Sequence, residues 1–204
     1  MERKKVGILV FPNVEVLDFC GPFEVFSVVR LDEEKRRVEP SPFEVFLVAE
    51  SLEVVTAANG LKVVPDYTID NCPILDILVV PGGWGVRAAI ENSKIVDWVA
   101  KQGKAVETLT SVCTGSVLLG RAGLLEGKRA TTHWMVLDWM RQLLPNVIVE
   151  KDFRYVEDGD IITSAGISAG IDMSLRVVSR YHGEEIARTT AKYMEYPFPE
   201  NNKR

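Results

Sequence analysis

The stretch Ala105-Val106-Glu107-Thr108-Leu109-Thr110-Ser111-Val112-Cys113-Thr114-Gly115-Ser116-Val117-Leu118-Leu119-Gly120 joins a strand to a helix through a cysteine. The run from Ala105 to Val112 reads as a buried strand. Cys113 ends it. Thr114, Gly115 and Ser116 then open a helix that carries Val117, Leu118, Leu119 and Ala122. A cysteine at such a junction lies beside unpaired backbone N–H groups and the positive end of the helix dipole, and both favour the thiolate. The same turn presents serine nucleophiles in hydrolases, where a neighbouring glycine relieves crowding. Cys113 is therefore a candidate nucleophile. The competing reading is an inert buried thiol, the commoner fate of a free cysteine.

Outward from this junction, strands and helices alternate. Val6 to Phe11 is a nearly all-apolar strand, as expected where both faces are covered. Gly21-Pro22 predicts the start of a helix bearing Phe23, Val25, Phe26 and Val29. Phe43 to Ala49 and Ile77 to Val80 are further strands, and Asn59-Gly60 marks a small hairpin between Val54-Val55 and Leu61 to Val64. Helices follow around Ile95 to Val99, from Trp134 to Leu144, from Gly170 past Tyr181, and from Glu184 to Met194. Short strands are expected at Val147 to Val149, Phe153 to Val156 and Ile161 to Thr163. This order predicts an α/β fold with a mostly parallel sheet wrapped by helices on both faces. Reactive groups then gather at the carboxyl ends of the strands. Residues 1–204 read as one domain with a loose tail from about 197.

Composition removes several classes. The net charge of −5 leaves no basic footprint for nucleic acid. No segment reaches the length a membrane span needs. Cys20, Cys72 and Cys113 are widely spaced and odd in number, with no zinc-ligand spacing, so neither a disulfide framework nor a metal is expected. A cytoplasmic protein without a cofactor fits this pattern.

Six further residues are candidates for a chemical or electrostatic role. Asp18 is the only acid in the apolar stretch Val16 to Pro22. It reads either as a helix cap or as a partly buried carboxyl that exchanges protons with a substrate on Cys113. Glu24, in the first turns of that helix, is a weaker candidate acid. Gly82 and Gly83 follow a strand directly, so their N–H groups, with that of Thr114, can stabilise developing negative charge. His133, after Thr131-Thr132, orients the thiol or caps the next helix. His182, before Gly183, reads as a cation at a helix C-terminus.

Five segments, in order, resemble the ThiJ/PfpI superfamily (class I glutamine amidotransferase-like), and within it the isocyanide hydratase branch. They are Leu17-Asp18-Phe19-Cys20-Gly21-Pro22, Pro81-Gly82-Gly83, Ser111-Val112-Cys113-Thr114-Gly115, Gly123 to Trp134, and Gly166-Ile167-Ser168-Ala169-Gly170-Ile171-Asp172. The resemblance implies a flavodoxin-like three-layer sandwich and a homodimer. It marks Cys113 as the nucleophile on a strained elbow, Asp18 as the proton-moving acid, Thr114 as a contributor at the elbow and Ile167 as a residue touching the site. It implies attack of Cys113 on a small electrophile, an isocyanide, to give a thioimidate that water converts to an N-substituted formamide, with no cofactor or metal. The superfamily also holds glyoxalase and deglycase-type stress proteins, and AraC-type regulators carry a similar amino-terminal domain. A ligand-sensing or redox-sensing module is thus the competing class. The missing basic stripe weighs against DNA binding.

Overall fold

The computed structural model describes residues 2–204. The chain runs β1 (Lys4–Leu9), α1 (Val16–Val28), β2 (Phe43–Ala49), β3 (Val55–Thr56), β4 (Lys62–Val63), β5 (Tyr67–Thr68), β6 (Ile77–Val80), α2 (Val86–Ala89) and α3 (Ser93–Gly103). It continues through β7 (Thr108–Ser111), α4 (Gly115–Arg121), β8 (Arg129–Ala130), α5 (Leu137–Leu143), β9 (Ile148–Val149), β10 (Tyr155–Asp158), β11 (Ile161–Ser164), α6 (Ala169–His182) and α7 (Glu184–Tyr193). Seven strands form the central sheet in the order β10-β11-β7-β6-β1-β2-β5. Every pairing is parallel except β10 with β11.

This order explains where a site must lie. From β1 the chain steps to β2 on one side, and later from β6 to β7 on the other. Both crossovers are right-handed by the usual rule, so α1 and α3 land on opposite faces. The loops after β1 and β6 therefore diverge at a switch point, where open α/β sheets bind ligands. One face carries α1, α6 and α7, packed together, and the other carries α2, α3 and α4. All residues of β6 and β7 are buried between these layers. The α/β class with a mostly parallel sheet is as expected from the sequence, and β3–β4 is the separate antiparallel hairpin.

Several boundaries differ from expectation. The strand before Cys113 begins at Thr108 rather than Ala105, because Glu107 turns outward to meet Lys4 Nζ at 2.8 Å. The first helix starts at Val16, not at Gly21, and encloses Pro22. A proline there removes one N–H, the partner of the Asp18 carbonyl. Long-range bonds fix the true start instead. Glu15 N–H donates to Gly82 O (2.9 Å), and Gly82 N–H donates to Asp18 Oδ2 (3.0 Å). The expected Trp134–Leu144 helix opens as a 3-10 turn, Trp134–Val136, with Trp134 exposed.

The segment read as a loose tail is laid against the sheet. Asn202 brackets Tyr155 through bonds of 2.9 and 2.7 Å, and Arg204 Nη2 donates to Thr132 O at 2.6 Å. His182 is also not the expected cation. Burial beside the Phe43 ring holds its imidazole below the usual range, and its Nε2 has no partner. Among the described residues no helix is long and apolar enough to cross a membrane, and no three metal-binding side chains cluster.

Candidate active site

Cys113 sits between the end of β7 and α4 with φ 55°. A non-glycine residue in the left-handed region stores about 1–3 kcal/mol and persists only where its surroundings impose it. Here they do. Cys113 N–H is shared between Ser164 O and Ala165 O, both at 3.2 Å. Its carbonyl accepts from Thr132 Oγ1 (2.9 Å) and Ser116 Oγ (3.1 Å). The next turn admits only glycine. A methyl group on Gly115 would overlap the Val80 carbonyl oxygen of the neighbouring strand. Gly115→Ala is therefore expected to cost about 3 kcal/mol or more. That lowers the Tm by at least about 6 °C in thermal unfolding. A Tm within 2 °C of the parent would mean that the elbow relaxes freely.

Asp18 projects from the first turn of α1 toward the thiol and is wholly buried. Its Oδ2 takes the Gly82 N–H, while Oδ1 has no hydrogen-bond partner. Burial pushes this carboxyl up to about 8, against a smaller opposing pull from the Gly82 bond. The Cys113 thiol pulls the carboxyl down as well, more weakly than the Gly82 bond. The thiol itself is pushed up to about 12, first by burial and then by the Asp18 charge. The N–H and hydroxyl of Thr114 act in the opposite direction, favouring the thiolate, but do not win. Burial and the Asp18 charge thus oppose the helix-stabilised thiolate that the sequence suggested, and the two groups titrate as a coupled pair.

The two glycines do not form the expected oxyanion hole. Gly82 N–H is committed to Asp18, and Gly83 N–H to Thr114 Oγ1 at 2.9 Å. Thr114 Oγ1 donates in return to Gly83 O at 3.2 Å. Their role is to tie the β6 loop to the acid on one side and the elbow on the other. Gly82 also leaves no room for a side chain, since a Cβ would lie 2.5 Å from Thr114 N.

His133 lines the cavity above Cys113. Its Nδ1 accepts from Met135 N–H at 3.3 Å, capping the 3-10 turn. Burial and then the Arg204 charge hold the imidazole below its usual range, and because Nδ1 accepts from Met135 the neutral ring carries its proton on Nε2. It can donate there but is not set as a base. Ile167 lines the same cavity. Glu24 does not; it is exposed on α1 and joins neither the thiol nor the pocket.

The cavity holds about 250 Å³ and is lined mainly by apolar atoms. That is just under the range of about 300–1,000 Å³ typical of small-molecule sites. Glu15, Trp84, Arg87, Met135 and Val136 also line it, and the sequence reading did not single them out. Trp84 and Arg87 were accessible to inference, because they follow Pro81-Gly82-Gly83 directly.

Comparison with known proteins places the chain in a family. The chain is 40% identical over 194 residues to isonitrile hydratase of Pseudomonas putida, covering 94% of this chain and 78% of that one. It is 33% identical to the HTH-type transcriptional regulator GbdR of Pseudomonas aeruginosa across 70% of this chain, but spans only 38% of the regulator. The crystal structure of a ThiJ/PfpI family protein from Pseudomonas syringae superposes with a TM-score of 0.84 at 34% identity, covering 99% of this chain and 79% of that one. With residues 4–180 matching the DJ-1/PfpI family throughout, sheet and elbow included, the chain belongs to that family.

Proposed function

We propose that this protein hydrates an isocyanide to an N-substituted formamide, with Cys113 as nucleophile and Asp18 as proton donor. The observation that carries the reading is Asp18, wholly buried with an unpartnered Oδ1, beside Cys113 at φ 55°. A carboxyl pushed up to about 8 is mostly protonated at neutral pH, the state a general acid needs. The occupied glycine N–H groups point the same way. Hydrolysis of an ester or amide would put charge on an oxygen and call for free donors. Addition to an isocyanide calls for a proton at carbon. The likeness to isonitrile hydratase supports the same chemistry.

In the first step the Asp18 proton passes to the terminal carbon while the sulfur attacks it. The thiol proton moves to the vacated carboxylate, leaving a neutral thioimidate on Cys113. Water then adds to that carbon as the nitrogen takes a proton. Collapse of the adduct returns a proton to sulfur and releases the formamide. The sum is one isocyanide plus one water. No step transfers electrons, and neither a metal nor a cofactor is called for.

The test is incubation with phenyl isocyanide in ¹⁸O-water. The expected product is N-phenylformamide labelled in its formyl oxygen, formed well above the buffer rate. Its kcat/KM should be flat below pH 8 and fall about tenfold per unit above it, following loss of the Asp18 proton. A rate that rises through that range would instead make the ionised carboxylate the active form. We also propose that the protein works as a homodimer, to be read by sedimentation equilibrium, and that it acts in the cytoplasm.

The sensing alternatives gain less. Burial opposes the Cys113 thiolate, and oxidation by peroxide follows thiolate character.

A further inference from the structure

The mouth of the cavity holds an arginine with nothing to pair with. Nearly every arginine of the chain grips a carboxylate or a backbone carbonyl. Among the described residues only Arg37, on an exposed loop, and Arg87 hold neither. Arg87 is nonetheless held in place. Its guanidinium carbon lies 4.1 Å from the centroid of the Trp84 ring and 5.0 Å from that of Trp139. Two indoles thus flank the guanidinium, whose N–H groups make no hydrogen bond to a carboxylate or carbonyl. Arg87 and Trp84 share the cavity with Cys113.

Charge along the cavity is arranged by position. Glu15 bears on Cys113, Asp18 and His133, so it sits at the reacting end. An anionic group is opposed there. Arg87 is not among the charges acting on those three groups, so it stands farther from them, and there an anion meets a cation whose fork matches a carboxylate.

We propose that Arg87 is a specificity residue selecting substrates that carry a carboxylate at the end remote from the reacting carbon. The proposal rests on the isocyanide reading for its choice of substrate but not for its binding test. The substrate class is a small aryl or alkyl isocyanide with an acid at its far end. The body of the molecule lies against Ile167, Val136 and Met135.

The experiment compares 4-isocyanobenzoate with its methyl ester in the parent, Arg87→Met and Arg87→Lys. Taking the acid-to-ester ratio of kcat/KM removes electronic differences between the two substrates, because these are the same in every variant. The ratio should be at least about tenfold higher in the parent than in Arg87→Met, mainly through KM, with Arg87→Lys in between. The advantage should shrink as salt rises. Equal ratios in the parent and Arg87→Met would overturn the proposal. If no isocyanide is turned over, the reaction reading fails, and calorimetry with 4-formamidobenzoate and its methyl ester decides the site separately. Preference for the acid that disappears in Arg87→Met upholds it. Equal binding of acid and ester, or binding of neither, ends it.

Discussion

Replacing Cys113 with serine is expected to abolish formamide production, with kcat reduced at least about a thousandfold. The reason lies in what the site supplies and what it lacks. The elbow aims one atom into the cavity, and the neighbouring N–H groups of Gly82 and Gly83 are already bonded. Little residual catalysis therefore remains from an oxyanion hole once the nucleophile is gone. Serine keeps the size and the φ 55° backbone, so the fold should survive. The control is a Tm within about 2 °C of the parent. A second readout is intact mass. With a slow aryl isocyanide the parent should show a transient gain equal to the mass of the substrate, lost in Cys113→Ser. Formamide formation within tenfold of the parent would mean that the sulfur is a bystander and that Asp18 acts on free substrate.

The sequence showed the elbow because its signals are local. An apolar run, a cysteine and a glycine in contact with a strand all lie within a dozen residues. Alternation of strands and helices predicted the mostly parallel sheet and the site at its carboxyl ends, whereas the strand order and its switch point emerged only from the pairing. The misplaced start of α1 shows where local reading stops. Gly21-Pro22 is a good helix opening in isolation. The bonds that start the helix earlier come from Gly82, which is 64 residues away from Asp18. The fate of the glycine N–H groups was hidden for the same reason, since the Thr114 hydroxyl that takes one of them lies 31 residues from Gly83. The opposition to the Cys113 thiolate was hidden because it is a competition of magnitudes. A helix terminus contributes about 2 kcal/mol at best. Full burial next to a second acid outweighs it, and depth is not a local property of sequence.

Asp18 carries the other large effect, and its two consequences run in opposite directions. Asp18→Asn keeps the shape and an oxygen for the Gly82 N–H but removes the transferable proton. Turnover should fall about 10²–10⁴-fold, with the pH dependence above 8 lost. Stability should rise. In the folded protein this carboxyl is pushed up from 3.8 to about 8, chiefly by burial. The unfolded chain therefore gives up its proton first, and stability falls as pH rises through that interval. Below pH 4 both states are protonated and the group contributes no difference. Above pH 8 the loss is complete, with an upper limit of about 6 kcal/mol at roughly 1.4 kcal/mol per unit. Relaxation around the charge reduces it, so about 2–3 kcal/mol is expected. At pH 8 the asparagine variant should then melt about 4–10 °C above the parent. The difference should close as pH approaches 4. A variant less stable than the parent at pH 8 would show that the carboxylate is a favourable part of the fold. The pair would then start ionised, and the proton for the substrate carbon would have to come from the thiol. An acid held neutral at a cost to stability is the expected signature of a group kept for chemistry rather than for folding.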